Sequence, residues 1–235
     1  MLIRIPALLL LLLPVLSGQW QPLFDGKTLQ GWHVASRPED RAKTFWQVRD
    51  GAITCDSLGQ KNHNYVWLIS DAEFSNFELT VQIRGFRHSP GNSGIQFRSR
   101  FDDSLGWLHG PQADVHPPAA FRTGLIYDET RETRRWIFPS LPDWKIEPDQ
   151  GPKQWKWRFS DEGDGWNELR ILAVGTRIKT TLNGLVMADF DGAGILDDEP
   201  HRRHNVGLRG HIALQLHDKD ELLIQYRDIR IRPLP

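Results

Sequence analysis

Apolar and polar residues alternate in short runs along most of this chain. In "NFELTVQIRGF", Leu79, Val81 and Ile83 share one parity, and Glu78, Thr80, Gln82 and Arg84 share the other. In "GHIALQLHDKD", Ile212, Leu214 and Leu216 oppose Ala213, Gln215 and His217. A strand sends successive side chains to opposite faces, so each run reads as a half-buried strand. The runs are punctuated by Gly, Asn, Asp and Pro, and no long window repeats its apolar residues every 3.6 positions. Strands are predicted near 45–54, 65–70, 77–86, 93–100, 110–115, 124–127, 154–159, 167–174, 177–182, 185–190, 211–217 and 222–232. Asn183-Gly184 lies between two of them and marks a type I′ hairpin, because both central positions of that turn need positive φ. The pattern predicts an all-β fold, a jelly-roll-like sandwich of two antiparallel sheets.

The stretch "GNSGIQFRSR" sets Asn92, Gln96 and Arg98 on one parity and Ile95 and Phe97 on the other. One face therefore carries amide and guanidinium groups, turned either to water or to a ligand. Gly91 and Gly94 allow a tight entry to this strand. Two stretches break the β texture. The segment 131–165 mixes prolines, charges and four tryptophans (Trp136, Trp144, Trp155 and Trp157), and "LDDEPHRRHNVGLRG" is a second excursion. Long loops that carry aromatics are more often functional than disordered.

Composition narrows the picture. The 235 residues carry a formal net charge of -1 with no basic run, which argues against nucleic acid or an anionic membrane as partner. "MLIRIPALLLLLLPVLSGQW" has one arginine, a short leucine-rich run and small residues at its end. Residues 1–17 are read as a signal peptide and 18–235 as a single sandwich domain. That predicts a periplasmic or secreted protein with no stable membrane insertion after cleavage; an uncleaved anchor is the alternative. Cys55 is the only cysteine, so stability must come from a core and not from intrachain disulfides.

The blocks "PLFDGKTLQGW", "FWQVRDGAIT", "FSNFELTVQIR", "GNSGIQFRSR", "GPQADV", "TGLIYDE", "GWNELRI", "TTLNG", "GHIALQLH" and "YRDIRIR" occur in this order over nearly all the mature chain. In order and spacing they resemble the bacterial 3-keto-disaccharide hydrolase domain family. The resemblance implies a concanavalin A-like lectin/glucanase sandwich and an exported hydrolase that cleaves glycosides already oxidised at C3. The chain departs from the pattern at Gly110, where family members carry a glutamate two residues ahead of Gln112, so a mechanism built on that glutamate does not carry over.

A C3 keto group acidifies the C2 hydrogen, so the glycosidic bond can break by proton abstraction and elimination, followed by addition of water. That route needs a base, a group to hold the enolate oxygen and a proton for the leaving group. It does not need the two spaced carboxylates of ordinary glycosidases, and no Glu-x-Asp-x-x-Glu strand is present. The expected acid/base pair is Asp114 with His217, a carboxylate beside an imidazole, and Arg98 is expected to hold the oxyanion. Asn92, Gln96, Gln112 and Gln215 are expected to bind hydroxyls, and Tyr127 and Trp107 to stack on a sugar. An oligosaccharide or glycoside is the expected partner; a non-catalytic, lectin-like carbohydrate-binding module is the alternative. The sequence calls for no cofactor but leaves room for a divalent cation such as calcium, with Asp102-Asp103 and Asp197-Asp198 as acidic pairs. His201 and His204 would chelate a metal only if their loop were helical.

Overall fold

The structure, a computed structural model, describes residues 18–235, so the proposed signal peptide lies outside the described residues. The strands are β1 (Gln21–Pro22), β2 (Trp32–Ser36), β3 (Trp46–Arg49), β4 (Ala52–Asp56), β5 (Val66–Phe74), β6 (Phe77–Gly85), β7 (Ser93–Asp102), β8 (Trp107–His109), β9 (Pro111–Val115), β10 (Ile126–Asp128), β11 (Trp136–Phe138), β12 (Asn167–Val174), β13 (Arg177–Leu182), β14 (Leu185–Asp191), β15 (Gly210–Leu216) and β16 (Leu223–Pro233). They form two antiparallel sheets of eight strands each. The first runs β14-β13-β12-β6-β16-β4-β3 with β1 on β16, and the second runs β11-β10-β9-β7-β15-β5-β2 with β8 on β7.

The core lies between the sheets. Leu79, Val81, Ile83, Leu169 and Ile171 of the first sheet meet Ile95, Phe97, Ala113, Val115, Leu214 and Leu216 of the second, all essentially buried. Cys55 is part of this core, and its burial pushes the thiol pKa well above its ordinary value. A smaller apolar cluster of Trp67, Ile69, Trp107, Leu108 and Ala213 covers part of the second sheet's outer face.

Asn183-Gly184 forms the expected turn, with φ of 49° and 83° and Leu182 paired to Leu185. A second turn of this kind went unread. Asp50-Gly51, with φ of 51° and 73°, splits the predicted 45–54 strand into the hairpin of β3 and β4. The predicted strand 154–159 is absent. Only Phe159 makes an isolated bridge, to Gly85, while the Asn167 side chain takes both the N–H and the C=O of Arg158 in place of a strand partner. The stretch Glu199–His204, expected as loop, is a helix (α1) of six residues, too short to show a period. Asp198 caps its start and Asn205, at φ 54°, closes its end.

One irregularity matters for function. Gln96 pairs with Ala213 and Ser99 with His211, so Phe97 and Arg98 together oppose the single residue Ile212. Arg98 takes a left-handed conformation, φ 51°, within this bulge, which breaks the alternation at that point.

Candidate functional site

The core claims Ile95, Ala113, Val115, Leu214 and Leu216, so their strand neighbours Gln96, Gln112, Asp114 and Gln215 stand on the outer face of the second sheet. Gly94 lies opposite Asp114, and Gln96 opposite Gln112. A Cβ on Gly94 would sit 2.1 Å from Gln112 Cδ, so only glycine lets the Gln112 side chain cross β7 there. This outer face is not solvated: Gln96, Gln112, Asp114 and Gln215 are 0–2% exposed. The loops around it shape a cleft of about 460 Å³, whose lining includes Asn92, Gln112, Asp114, Tyr127 and His217 of the expected residues. The same cleft is lined by Tyr65, His116, Arg122, Glu129 and Arg134, which sequence reasoning missed.

The pairings within the cleft differ from expectation. Asp114 is held by Arg122, whose Nε and Nη2 donate to the two carboxylate oxygens at 2.7 and 3.4 Å. His217 instead lies 2.8 Å from the Tyr65 hydroxyl through Nε2, with Asp218 and Asp220 at 3.3 and 3.6 Å from Nδ1. Burial, aided by the nearby Glu129 and Asp218, raises the Tyr65 pKa far enough to keep the hydroxyl protonated. Tyr127 packs edge-on against Trp136 at 5.2 Å, and burial pushes its pKa up to about 12.

Four expected residues do not line the cleft. Arg98, 0% exposed, donates to the carbonyls of Ser75 and Gly175 at 2.6 Å and of Gly207 at 3.2 Å, and lies 5.9 Å from the Phe77 ring centroid. The bulge turns it away from the cleft, where it ties three loops together. Gln96 accepts from Trp67 Nε1 at 2.5 Å and donates to the Leu108 carbonyl, which uses up its amide beneath the aromatic cluster. Trp107 is a buried strand residue whose Nε1 donates to the Glu129 carbonyl at 2.7 Å. Gln215 does not line the cleft either; it lies under it and donates to Glu129 Oε1 at 3.4 Å.

Glu129 is 4% exposed, and its Oε2 has no hydrogen-bond partner. Burial raises its pKa against the opposing pull of Arg134 and His217. Its backbone N–H donates to the carbonyl of Gly110, at 3.0 Å. A side chain at 110 has no room, because a Cβ there would meet Ser99 Oγ at 2.3 Å and Ser99 Cα at 2.9 Å, with φ at 128°. The signal for Glu129 was present in "TGLIYDE": it shares the parity of Tyr127, one step beyond the end of β10. Asn92 Oδ1, Gln112 Oε1, His116 Nδ1 and Gln215 Oε1 are also buried without partners at or beneath this cleft. Burial lowers the His116 pKa, which keeps that imidazole neutral. Unmet buried acceptors each cost about 1–3 kcal/mol, so the cleft favours a ligand rich in hydroxyl donors.

The residues considered for metal binding are arranged differently from expectation. The loop is helical, yet His201 has both nitrogens engaged, Nδ1 at 2.7 Å from Asp198 and Nε2 at 3.4 Å from Asp128. Burial alone would lower its pKa, and the two carboxylates outweigh that and raise it. His204 meets Asp102 and His109 instead, with one ligand atom of each within 4.8 Å of the others. The two imidazoles are stacked at 3.7 Å with 11° between their planes, so their in-plane lone pairs run parallel and the rings would have to turn to share an ion. Asp102 closes a turn onto Ser104, Asp103 pairs with Arg41, and Asp197 and Asp198 bond the N–H groups of Gly194 and His201.

The sequence profile of the 3-keto-alpha-glucoside-1,2-lyase-like domain matches residues 19–232. A curated 3-keto-disaccharide hydrolase from Bacteroides thetaiotaomicron is 34% identical over 86 residues, which span 35% of this chain and 28% of that protein. Among solved structures, a provisionally assigned glycosyl hydrolase from Parabacteroides distasonis superposes with a TM-score of 0.58 at 16% identity, covering 92% of this chain and 94% of the other. The carbohydrate-binding module CBM66 from Bacillus subtilis gives 0.51 at 15% identity, covering 85% and 94%. These two likenesses establish the fold, a sandwich of the concanavalin A-like class.

Proposed function

Because the chain belongs to the 3-keto-alpha-glucoside-1,2-lyase-like domain family, we propose that it cleaves glycosides carrying a C3 keto group, by elimination and hydration in the cleft on the second sheet. The observation that carries this reading is Glu129, a buried carboxylate with a free oxygen, a raised pKa and a place in the same cleft as an imidazole. Desolvation makes that carboxylate a stronger base than an exposed one.

In this mechanism Glu129 takes the proton from C2, and negative charge moves onto the C3 oxygen, where Arg134 stabilises it. The electron pair then forms the C1–C2 double bond as the C1–O bond breaks, and protonated His217 gives its proton to the departing oxygen. Water adds back across the double bond: His217 takes a proton from the water attacking C1, and Glu129, having exchanged its proton with solvent while the leaving group departs, protonates C2. Asp114 is neutralised by Arg122, which suits it to holding hydroxyls and not to abstracting protons. Glu129 reaches the cleft from a segment whose backbone N–H is bonded to the Gly110 carbonyl, and so supplies a carboxylate in a chain where residue 110 has no side chain to offer one. With residues 1–17 read as a leader, the reaction takes place in the periplasm or outside the cell.

Turnover in deuterium oxide tests the mechanism. A 3-keto disaccharide should release its monosaccharides with deuterium at C2 of the keto sugar, and the unoxidised disaccharide should stay intact. Cleavage of both sugars at equal rates without C2 label would establish an ordinary glycosidase. Binding without cleavage of either would establish the carbohydrate-binding module to which the likeness to CBM66 also points.

A further inference from the structure

Beside the cleft lies a second hollow of about 360 Å³ that shares two lining residues with it, Tyr65 and Arg134. Arg37, Arg131 and Arg134 converge there around Trp107. The guanidinium of Arg131 sits 3.9 Å and that of Arg134 5.1 Å from the Trp107 ring centroid. Among the described residues none of the three arginines forms an ion pair, in a chain whose other arginines are mostly paired. Their side chains make neutral polar contacts instead, Arg37 Nη1 to Asn64 Oδ1 at 3.4 Å and Arg134 to the Tyr127 hydroxyl. The single carboxylate lining the hollow, Asp218, faces His217. Glu132, next in sequence to Arg131, is turned to Arg203 and His204. Close packing is built in, because a Cβ on Gly106 would meet Arg37 Cγ at 2.5 Å. Burial and mutual repulsion between these cations lower the Arg131 pKa.

Three guanidiniums held together with no direct ion pair among the described residues, and only Glu129 and Asp218 as nearby carboxylates, leave positive charge in excess and call for an anion. Trp107 ties the hollow to the reaction site, since its indole N–H is bonded to the Glu129 carbonyl. We propose that this arginine hollow is a subsite for an oxyanion substituent on the sugar next to the one being cleaved, so that the preferred substrates are acidic glycosides. The inference rests on the function proposed above for its location, and on the arginines alone for its charge preference.

The shared chemistry of a uronate carboxylate and a sulfate ester is a planar or tetrahedral oxyanion that accepts paired guanidinium bonds. Cellobiouronic acid, cellobiose 6′-sulfate and neutral cellobiose, none of which carries the C3 keto group that the proposed elimination needs, serve as calorimetric probes of the full chain. At least one charged disaccharide should bind about tenfold tighter than cellobiose. That advantage should shrink between low and high salt, and it should vanish in Arg37→Gln/Arg131→Gln. The stronger of the two charged probes identifies the anion. Equal binding by all three sugars, no binding by any, or an advantage that survives the double substitution and high salt overturns the inference. Because the salt dependence is measured on the unaltered protein, a misfolded variant cannot decide the result. The two proposals fail separately. A protein that releases C2-labelled sugar but ignores charge keeps only the mechanism, and one that prefers uronate through these arginines but cleaves nothing keeps only the subsite.

Discussion

The outer faces of the two sheets start from the same sequence texture and reach opposite ends. On the first sheet the polar parity is solvated and paired: Arg232 bonds Glu78, Arg170 bonds Glu168, and Arg177 bonds Asp189. On the second sheet the polar parity of β7, β9 and β15 is buried by surrounding loops, and its amides and Glu129 keep acceptors without partners. Solvated charges adjust to one another and contribute little, whereas desolvated, unpaired groups are a cost that only a ligand or a reaction offsets. The difference shows where a half-polar strand becomes a site: not where it is polar, but where something other than water lies over it.

The sharpest way to break this contrast is Glu129→Gln. The fold should survive, and kcat for a 3-keto disaccharide should fall by about 10²–10⁴-fold, the usual worth of a positioned general base. Burial raises the Glu129 pKa, so the acidic limb of the wild-type kcat/KM profile should lie above the ordinary carboxylate value of about 4.3. The sign for stability is the reverse of a salt-bridged acid. The folded-state pKa exceeds the unfolded one, so the stabilising contribution is complete below the unfolded value and is lost as pH rises through the folded one. Glu129→Gln should therefore unfold at higher denaturant than wild type near neutral pH. Unchanged turnover in this variant would remove Glu129 from the mechanism.

Arg98→Leu addresses a buried charge outside the cleft. Removing the guanidinium leaves three loop carbonyls without their donor and should cost about 3 kcal/mol by denaturant titration, with turnover per folded molecule preserved. A stable variant with lost activity would return Arg98 to the site. The smallest effect belongs to the first sheet: Arg170→Ala, on a half-exposed pair, should change stability by less than about 0.5 kcal/mol and leave activity alone. A loss comparable to that of Arg98 would end the distinction between the two faces.

The cleft was partly legible. Gln112, Asp114 and His217 came from strand parity together with the family resemblance, because β9 and the end of β15 keep their alternation and a polar residue beside a core residue must face outward. Arg98 shared that parity in the sequence and failed in the structure, since one extra residue in β7 resets which side the chain presents. Gly94 could be recognised as special but not explained: its role is to clear space for Gln112, a residue of a different strand. Arg122 and Arg134 carried no local signal, because loop residues reach a site through the path of the chain and not through a period.

By itself the sequence determined the elements with a regular repeat: an all-β sandwich, its core parity, the Asn183-Gly184 hairpin and the family to which the chain belongs. These depend on interactions between residues near in sequence, or on hydrophobic burial that any sandwich of these strands would satisfy. Only the tertiary structure decided that Asp114 is neutralised by Arg122, that His217 is bonded to Tyr65, and that Glu129 stands beside the glycine where no side chain fits. Desolvation and charge pairing depend on which distant segments meet, and local alternation carries no record of that.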